Sequence, residues 1–151
     1  MILWAVVWAL ARKRPGGSCV MNASAVRVGI TRLGQVAIPV GDVERATAFY
    51  RDVLGLSFLF RAGQLAFFDC GGVRLMLDRP EKPEFDHPSS ILYFAVADIQ
   101  AAHGRLVAAG VGIVEAPRLV APMPDHDLWM EFFRDTEGNV MALMSEVPRS
   151  S

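Results

Sequence analysis

The sequence predicts an α+β fold made of two copies of one βαβββ unit. Residues 34–60 and 90–115 each contain an alternating strand, an Asp, an amphipathic helix, a Gly and a further strand. Hairpin and turn signals then mark additional strands after each copy, and a repeat of this length indicates two similar units packed together. A helix covers one face of each sheet, so we expect two curved mixed sheets whose free faces enclose a shared cavity.

The first copy begins with a strand at residues 35–40, where side chains alternate with a two-residue period. Asp42 is a typical helix N-cap, and the apolar residues after it fall on one helical face. Gly55 supplies the conformation that ends such a helix. Further strands are predicted at 56–61, 64–69 and 73–78, with a tight hairpin at Gly71–Gly72.

The second copy begins near Ile91, and Asp98 caps a helix that ends at Gly110. Prolines after residue 115 predict a long loop over 117–127 that contains His126. The segment Asp135–Gly138 is a strong turn signal between the last two strands. The strands of this copy are predicted at 112–115, 128–134 and 139–144.

Composition excludes several classes of protein. The chain has 151 residues, of which 52% are hydrophobic and 21% are charged, and this is typical of a globular domain. The formal net charge is −1 and no run of Lys and Arg is long enough to suggest binding to a phosphate backbone, so we expect no nucleic-acid partner. Cys19 and Cys70 form no metal-binding spacing and are interpreted as reduced thiols.

The first ten residues are strongly apolar, but a bilayer span takes about 20 residues. Basic residues follow this stretch instead of preceding it, which argues against a secretory signal. Either the stretch is an upstream or mobile extension, with Met21 as a plausible true start, or it is a weak membrane-surface anchor. The first interpretation predicts a cytoplasmic protein without a membrane partner. The predicted organisation is an extension (1–32), a domain (33–147) and a tail (148–151), the domain comprising module 33–78, linker 79–89 and module 90–147.

The repeated unit, the segment VAIPVGDVERATAFYRDVLGL and the ending FFRDTEGNVMALM resemble the vicinal-oxygen-chelate superfamily. This superfamily includes glyoxalase I, bleomycin-binding resistance proteins and extradiol dioxygenases. The resemblance covers residues 33–147 and implies the fold described above, but it does not specify one activity. Because many relatives pair two copies of the chain, it also implies a homodimer.

Metal-dependent members of that superfamily hold a divalent ion with up to four side chains. The resemblance places the corresponding positions at Gln35, Leu75, Ile91 and Ala142. Of these only Gln35 offers a lone pair that suits such an ion, so we expect no metal cofactor. A displaced site made of Gln35, His126 and Glu131 is the alternative.

The register expected for the family predicts an apolar, aromatic pocket with few polar groups. In this register Phe67 lies opposite Leu75, and Glu131 lies opposite Ala142. The predicted ligand-binding residues are Gln35, Phe67, Leu75, Ile91, Tyr93, Trp129, Glu131 and Ala142.

Glu131 and His126 are the candidate catalytic residues. An apolar pocket disfavours the charged form of Glu131, which suits a carboxyl group to proton transfer, although a small register shift would turn it to solvent. His126 stands between two aspartates and is either a base or ligand at the cavity mouth or a solvated loop histidine. His87 and His103 are expected at the surface.

Three functions remain open from the sequence. The first is a metal-free protein that binds a small, partly apolar or aromatic molecule. The second is a glyoxalase-like lyase or isomerase in which Glu131 transfers a proton. The third is a metal-dependent lyase or dioxygenase with a displaced site.

Overall fold

The structure, a computed structural model, describes residues 28–149. Most of the predicted N-terminal extension, including Cys19 and Met21, lies outside the described residues. Leu33 begins one compact unit that holds both βαβββ copies. Within residues 28–149, no helix is long and apolar enough to cross a membrane.

The first copy forms a four-stranded mixed sheet. Strand β1 (Gln35–Pro39) leads into helix α1 (Val43–Ala48), which continues as a π-helical turn (Phe49–Val53). The remaining strands are β2 (Ser57–Ala62), β3 (Leu65–Cys70) and β4 (Val73–Asp78). The order across the sheet is β1-β4-β3-β2, in which β1 and β4 are parallel and the other pairs are antiparallel.

The second copy repeats this topology with β5 (Tyr93–Ala95), helix α2 (Ile99–Ala108), β6 (Ile113–Pro122), β7 (His126–Arg134) and β8 (Val140–Pro148). Its order is β5-β8-β7-β6, again with one parallel pair, β5 with β8. The linker between the copies contains a short 3-10 turn (Pro83–Phe85). The predicted α+β fold and its repeat are confirmed.

The predicted loop over 117–127 is wrong, because β6 continues to Pro122 and β7 already begins at His126. Strand β6 is an edge strand, and its pairing with β7 contains three register shifts. Edge strands and irregular pairings are the places where a sheet tolerates proline. Pro117 and Pro122, which led us to predict a loop, therefore lie within a strand.

Each helix packs on one face of its own sheet. Asp42 accepts hydrogen bonds from the N–H groups of Glu44 and Arg45, both at 3.0 Å, and so begins α1 as predicted. The buried side chains of both helices and both sheets form one apolar cluster that includes Ile38, Tyr50, Phe68, Leu106, Phe133 and Met141. We call the covered side of each sheet its helix face and the opposite side its open face.

A buried carboxylate joins the two copies. Asp135, at the start of the β7–β8 turn, accepts a hydrogen bond of 2.9 Å from the Tyr50 hydroxyl of the first copy. It also accepts from the backbone N–H groups of Glu137 and Asn139, and the Asn139 amide donates on to the Pro39 carbonyl. Burial, together with the neighbouring Asp135 charge, raises the pKa of Tyr50, so the phenol remains a donor.

Glu137 makes a second connection between the copies. One carboxylate oxygen accepts from the N–H groups of Gly41 (2.8 Å) and Asp42 (3.2 Å), and the other lies 2.7 Å from Nη2 of Arg45. A Cβ at position 41 would lie 3.2 Å from Glu137 Oε2, so the carboxylate would have to shift slightly to accept any side chain there. The β7–β8 turn thus holds the start of helix α1.

The ionisation of Glu137 predicts a pH-dependent contribution to stability. Burial opposes the charge, but hydrogen bonds from Arg45, Gly41 and Asp42 together hold the pKa of Glu137 below its ordinary value. A lowered pKa in the folded chain gives stability that is present above the unfolded-state pKa and lost as the pH falls through the folded-state pKa. We expect Glu137→Gln to cost most near neutral pH, and the difference from wild type to shrink below about pH 4.

Urea unfolding of both proteins over a series of pH values measures this difference. Glu44→Gln is the control, because the Glu44 carboxylate is exposed. A difference that stays constant with pH would contradict the assignment.

Candidate functional site

The open face of the first sheet carries an aromatic pair and a few polar groups. Ala37 pairs with Met76, and Met76 pairs with Phe67 on the next strand, so these three side chains share the face. Phe67 stacks on Phe60 with ring centroids 4.6 Å apart, and the Arg74 guanidinium lies 5.9 Å from the Phe67 centroid. At the start of β1, Gln35 shares this face with Arg74, its strand partner.

The open face of the second sheet carries another pair of aromatic rings. Tyr93 pairs with Ala142, which pairs with Phe132, and the Tyr93 and Phe132 rings meet edge to face at 5.9 Å. Ile91 precedes Tyr93 by two residues, and these two side chains are 44% and 47% exposed. Large apolar side chains therefore reach solvent on this face.

The predicted pairing of Phe67 with Leu75 is wrong by one residue. Gly71 and Gly72 both have positive φ, of 61° and 87°, and form a two-residue turn that pairs Cys70 with Val73. Leu75 then lies opposite Phe68 on the helix face, where it is buried in the apolar cluster. Met76 takes the predicted place on the open face.

The predicted pairing of Glu131 with Ala142 is also wrong by one residue. The connection between β7 and β8 spans Asp135–Asn139, one residue longer than the predicted turn, because Asp135 bonds the backbone of Asn139. Glu131 consequently pairs with Leu143, and alternation places both Glu131 and Trp129 on the helix face. Alternation along the strands divides the predicted ligand-binding residues into two groups. Those on the open faces are Gln35, Phe67, Tyr93 and Ala142, together with Ile91, which lies two residues before Tyr93. Those on the helix faces are Leu75, Trp129 and Glu131.

Glu131 is fully buried beneath helix α2. Its Oε1 lies 2.6 Å from Nδ1 of His103, which is half-buried on that helix and not at the surface as expected. Among the described residues, no group forms a hydrogen bond with Glu131 Oε2. The side chain therefore faces neither the predicted pocket nor solvent.

His126 begins β7 and is mostly buried, so it is not the solvated loop histidine of the alternative interpretation. Its Nδ1 lies 2.8 Å from Oδ1 of Asp125. An ionised carboxylate only accepts, so Nδ1 carries the proton in the neutral ring and Nε2 keeps a lone pair. Nε2 is buried and finds no hydrogen-bond partner within residues 28–149. Alternation along β7 places His126 on the open-face side with Met130 and Phe132.

The side chains at the family's metal positions do not suit a divalent ion. Ala37 and Tyr93 stand at equivalent positions before the two capping aspartates, and they pair with Met76 and Ala142. The position on β4 is therefore Met76, so the set becomes Gln35, Met76, Ile91 and Ala142. One amide oxygen and one thioether do not make a site for Mg²⁺, Mn²⁺ or Zn²⁺.

The three residues of the alternative, displaced metal site do not lie together either. Glu131 lies on the helix face, whereas Gln35 and His126 lie on open faces, so the three are not brought together. In the described part of the chain, no group of three or more His, Cys, Asp or Glu side chains is placed to hold a metal ion.

A cleft of about 600 Å³ lies at the junction between the copies and not over the open faces. Its walls come from the β1–α1 connection, the linker and the β7–β8 turn, and include Gly41, Arg79, His87, Pro88 and Glu137. No motif in the sequence predicts this cleft, because it depends on how the linker returns across the junction.

Two βαβββ copies with helix-covered outer faces define a glyoxalase-like fold. The chain belongs to the Glyoxalase/Bleomycin resistance protein/Dioxygenase superfamily, whose family model matches residues 32–143. Among curated proteins, no match is found.

Several solved structures share the fold. A virulence protein from Salmonella typhimurium has a TM-score of 0.64 at 23% identity, covering 78% of this chain and 98% of its own. A lactoylglutathione lyase from Agrobacterium tumefaciens has a TM-score of 0.59 at 23% identity, covering 78% and 95%. A superfamily member from Sphaerobacter thermophilus has a TM-score of 0.64 at 24% identity, covering 78% and 98%. At these identities the likeness establishes the fold alone.

Proposed function

We propose that this protein binds a small, partly apolar or aromatic molecule against its open faces. The observation that carries the proposal is the exposure of Ile91 and Tyr93 beside Phe132. Small-molecule sites are mostly apolar and carry a few polar groups that fix orientation. Here Gln35 and Arg74 on the first sheet and His126 on the second supply those groups.

We also propose that binding requires no divalent metal ion. The support is chemical: the four family positions hold Gln35, Met76, Ile91 and Ala142, which together offer a single oxygen donor. Binding of the ligand is then a matter of apolar burial and hydrogen bonds from the side chains present.

The lyase or isomerase alternative rested on Glu131 as the proton-transfer group. Because Glu131 lies under helix α2 and pairs with His103, it does not reach a ligand on the open face. His126 is an ionisable side chain with open-face parity that could serve this alternative, and its Nε2 lone pair suits a hydrogen-bond acceptor.

A fluorescence titration with the dye anilinonaphthalene sulfonate tests the site. The aromatic rings of the dye can pack against Tyr93 and Phe132 on the second sheet. We expect Tyr93→Ala to weaken dye binding about fivefold, since an aromatic contact contributes about 1 kcal/mol. Val147→Ala is the matched control, because Val147 is 42% exposed and has the opposite parity on β8.

Equal losses in both variants would show that the dye binds no particular face and would contradict the proposal. Chelation with EDTA is expected to leave the titration unchanged. Loss of dye binding after chelation, or a stoichiometric metal ion in protein purified without added metal, would overturn the metal-free part.

We further propose a homodimer located in the cytoplasm. Support for the homodimer comes from apolar side chains exposed on an edge strand, which favours symmetric pairing.

A further inference from the structure

Each four-stranded sheet has two edge strands, β1 and β2 in the first sheet and β5 and β6 in the second. Strand β1 ends in Pro39 and β5 has only three residues, and both features limit pairing at an edge. Strands β2 and β6 occupy equivalent places in the repeated topology. Each is last in its sheet and pairs on one side only, β2 with β3 and β6 with β7. An edge strand has unpaired backbone groups, and proteins normally protect it with prolines, charges or bulges. Strands β2 and β6 differ in how many of these protective features they carry.

Strand β6 carries every one of these protections. Pro117 and Pro122 remove backbone donors, Glu115 and Arg118 place charges on the strand, and the pairing with β7 shifts register three times. Another chain can hardly add to such an edge.

Strand β2 is different. All six residues from Ser57 to Ala62 are exposed, and Phe58, Leu59 and Phe60 are 37%, 47% and 47% exposed. The strand contains no proline and has one register shift. Its single charged residue, Arg61, lies 3.9 Å from Glu44 of its own chain. We call Phe58–Phe60 the β2 ridge.

We propose that the β2 ridge is the surface through which two copies of this chain pair, edge to edge and antiparallel. The inference deepens the proposed homodimer by naming its surface. Phe58 and Phe60 are already supported from within, since they contact the rings of Phe68 and Phe67. The ridge is therefore ordered before a partner arrives.

A second copy fits this surface better than an unrelated partner for two reasons. Strand β2 is the least protected edge of each chain, so a twofold pairing uses the β2 edges of both chains and closes, without building a fibre. The ridge itself carries no charge, so two copies do not repel each other when they meet.

Leu59→Lys and Val114→Lys form a matched pair of variants. Each residue stands at a register shift of its edge strand, and the two are 47% and 49% exposed. We expect Leu59→Lys to raise the dimer dissociation constant about tenfold or more, because each subunit then buries a charge at a paired edge. Val114→Lys should leave it unchanged, and sedimentation velocity over a dilution series measures both.

Amide hydrogen exchange of the unmodified full chain provides a measurement that needs no variant. Residues 57–62 should exchange more slowly at concentrations where the dimer forms, whereas residues 113–122 should not change. A dimer that ignores Leu59→Lys, or that protects β6 instead of β2, would overturn the ridge but leave the homodimer standing. A chain that is monomeric at every concentration would overturn both, and neither result bears on the dye titration.

Discussion

Replacing Asp135 with alanine is expected to lower the free energy of unfolding by about 3 kcal/mol, since the change leaves several buried donors without a partner. Its carboxylate accepts from the Tyr50 hydroxyl, from the Asn139 amide and from two backbone N–H groups of the β7–β8 turn. The loss therefore loosens the turn and also removes one of the connections between the two copies. Urea unfolding monitored by tryptophan fluorescence measures the change.

Two further variants separate the turn from the junction. Tyr50→Phe removes one of these hydrogen bonds while the ring stays packed, so its cost should be about 1 kcal/mol. Asp69→Ala removes the exposed carboxylate that bonds Gly72 in the corresponding hairpin of the first copy, and a change within about 0.5 kcal/mol is expected. Similar costs for Asp135→Ala and Asp69→Ala would contradict the role of Asp135 as a junction between the copies.

The fold was predictable because its signals are local. The capping aspartates Asp42 and Asp98 are followed by apolar positions at helical spacing, and both helices begin where these residues indicate. The extent of β6 was not predictable in this way. Pro117 is a breaker by local rules, and only the knowledge that β6 is an edge strand makes it compatible with a strand.

The candidate site was harder, because it depends on register. A turn that is one residue longer or shorter exchanges the two faces of a strand, and this happened in both hairpins. For Gly71–Gly72 the correct pairing was available from the sequence, since two adjacent glycines form a two-residue turn. For the β7–β8 turn it was not, since the extra residue follows from the contacts of Asp135 with Asn139 and with Tyr50, which is distant in sequence.

The repeat also shows that the His103–Glu131 pair is not required by the fold. His103 lies five residues after its capping aspartate, and the equivalent residue of the first copy is Thr47. Glu131 precedes Phe132 as Ala66 precedes Phe67, and both Glu131 and Ala66 are fully buried. The first copy therefore fills the same space between helix and sheet with small side chains.

A double-mutant cycle on this pair should be strongly non-additive. His103→Leu leaves the buried Glu131 side chain without the histidine that contacts its Oε1, and we expect a loss of about 3 kcal/mol in the free energy of unfolding. Adding Glu131→Met to that variant replaces the stranded carboxylate with an apolar side chain of similar size. Stability should return to within about 1 kcal/mol of wild type, because an apolar pair can replace a buried polar pair at little cost.

His87→Leu is the control for the loss of a histidine as such, since His87 is exposed in the linker, and it should change stability by less than about 0.5 kcal/mol. Urea unfolding of the four proteins of the cycle and of the control gives the free energy of unfolding of each. If the double variant is as unstable as the sum of its single changes, the two side chains do not depend on each other. If it recovers, the interaction serves to give a hydrogen-bond partner to a buried carboxyl group that the first copy avoids, and the fold tolerates its removal provided that both partners are removed together.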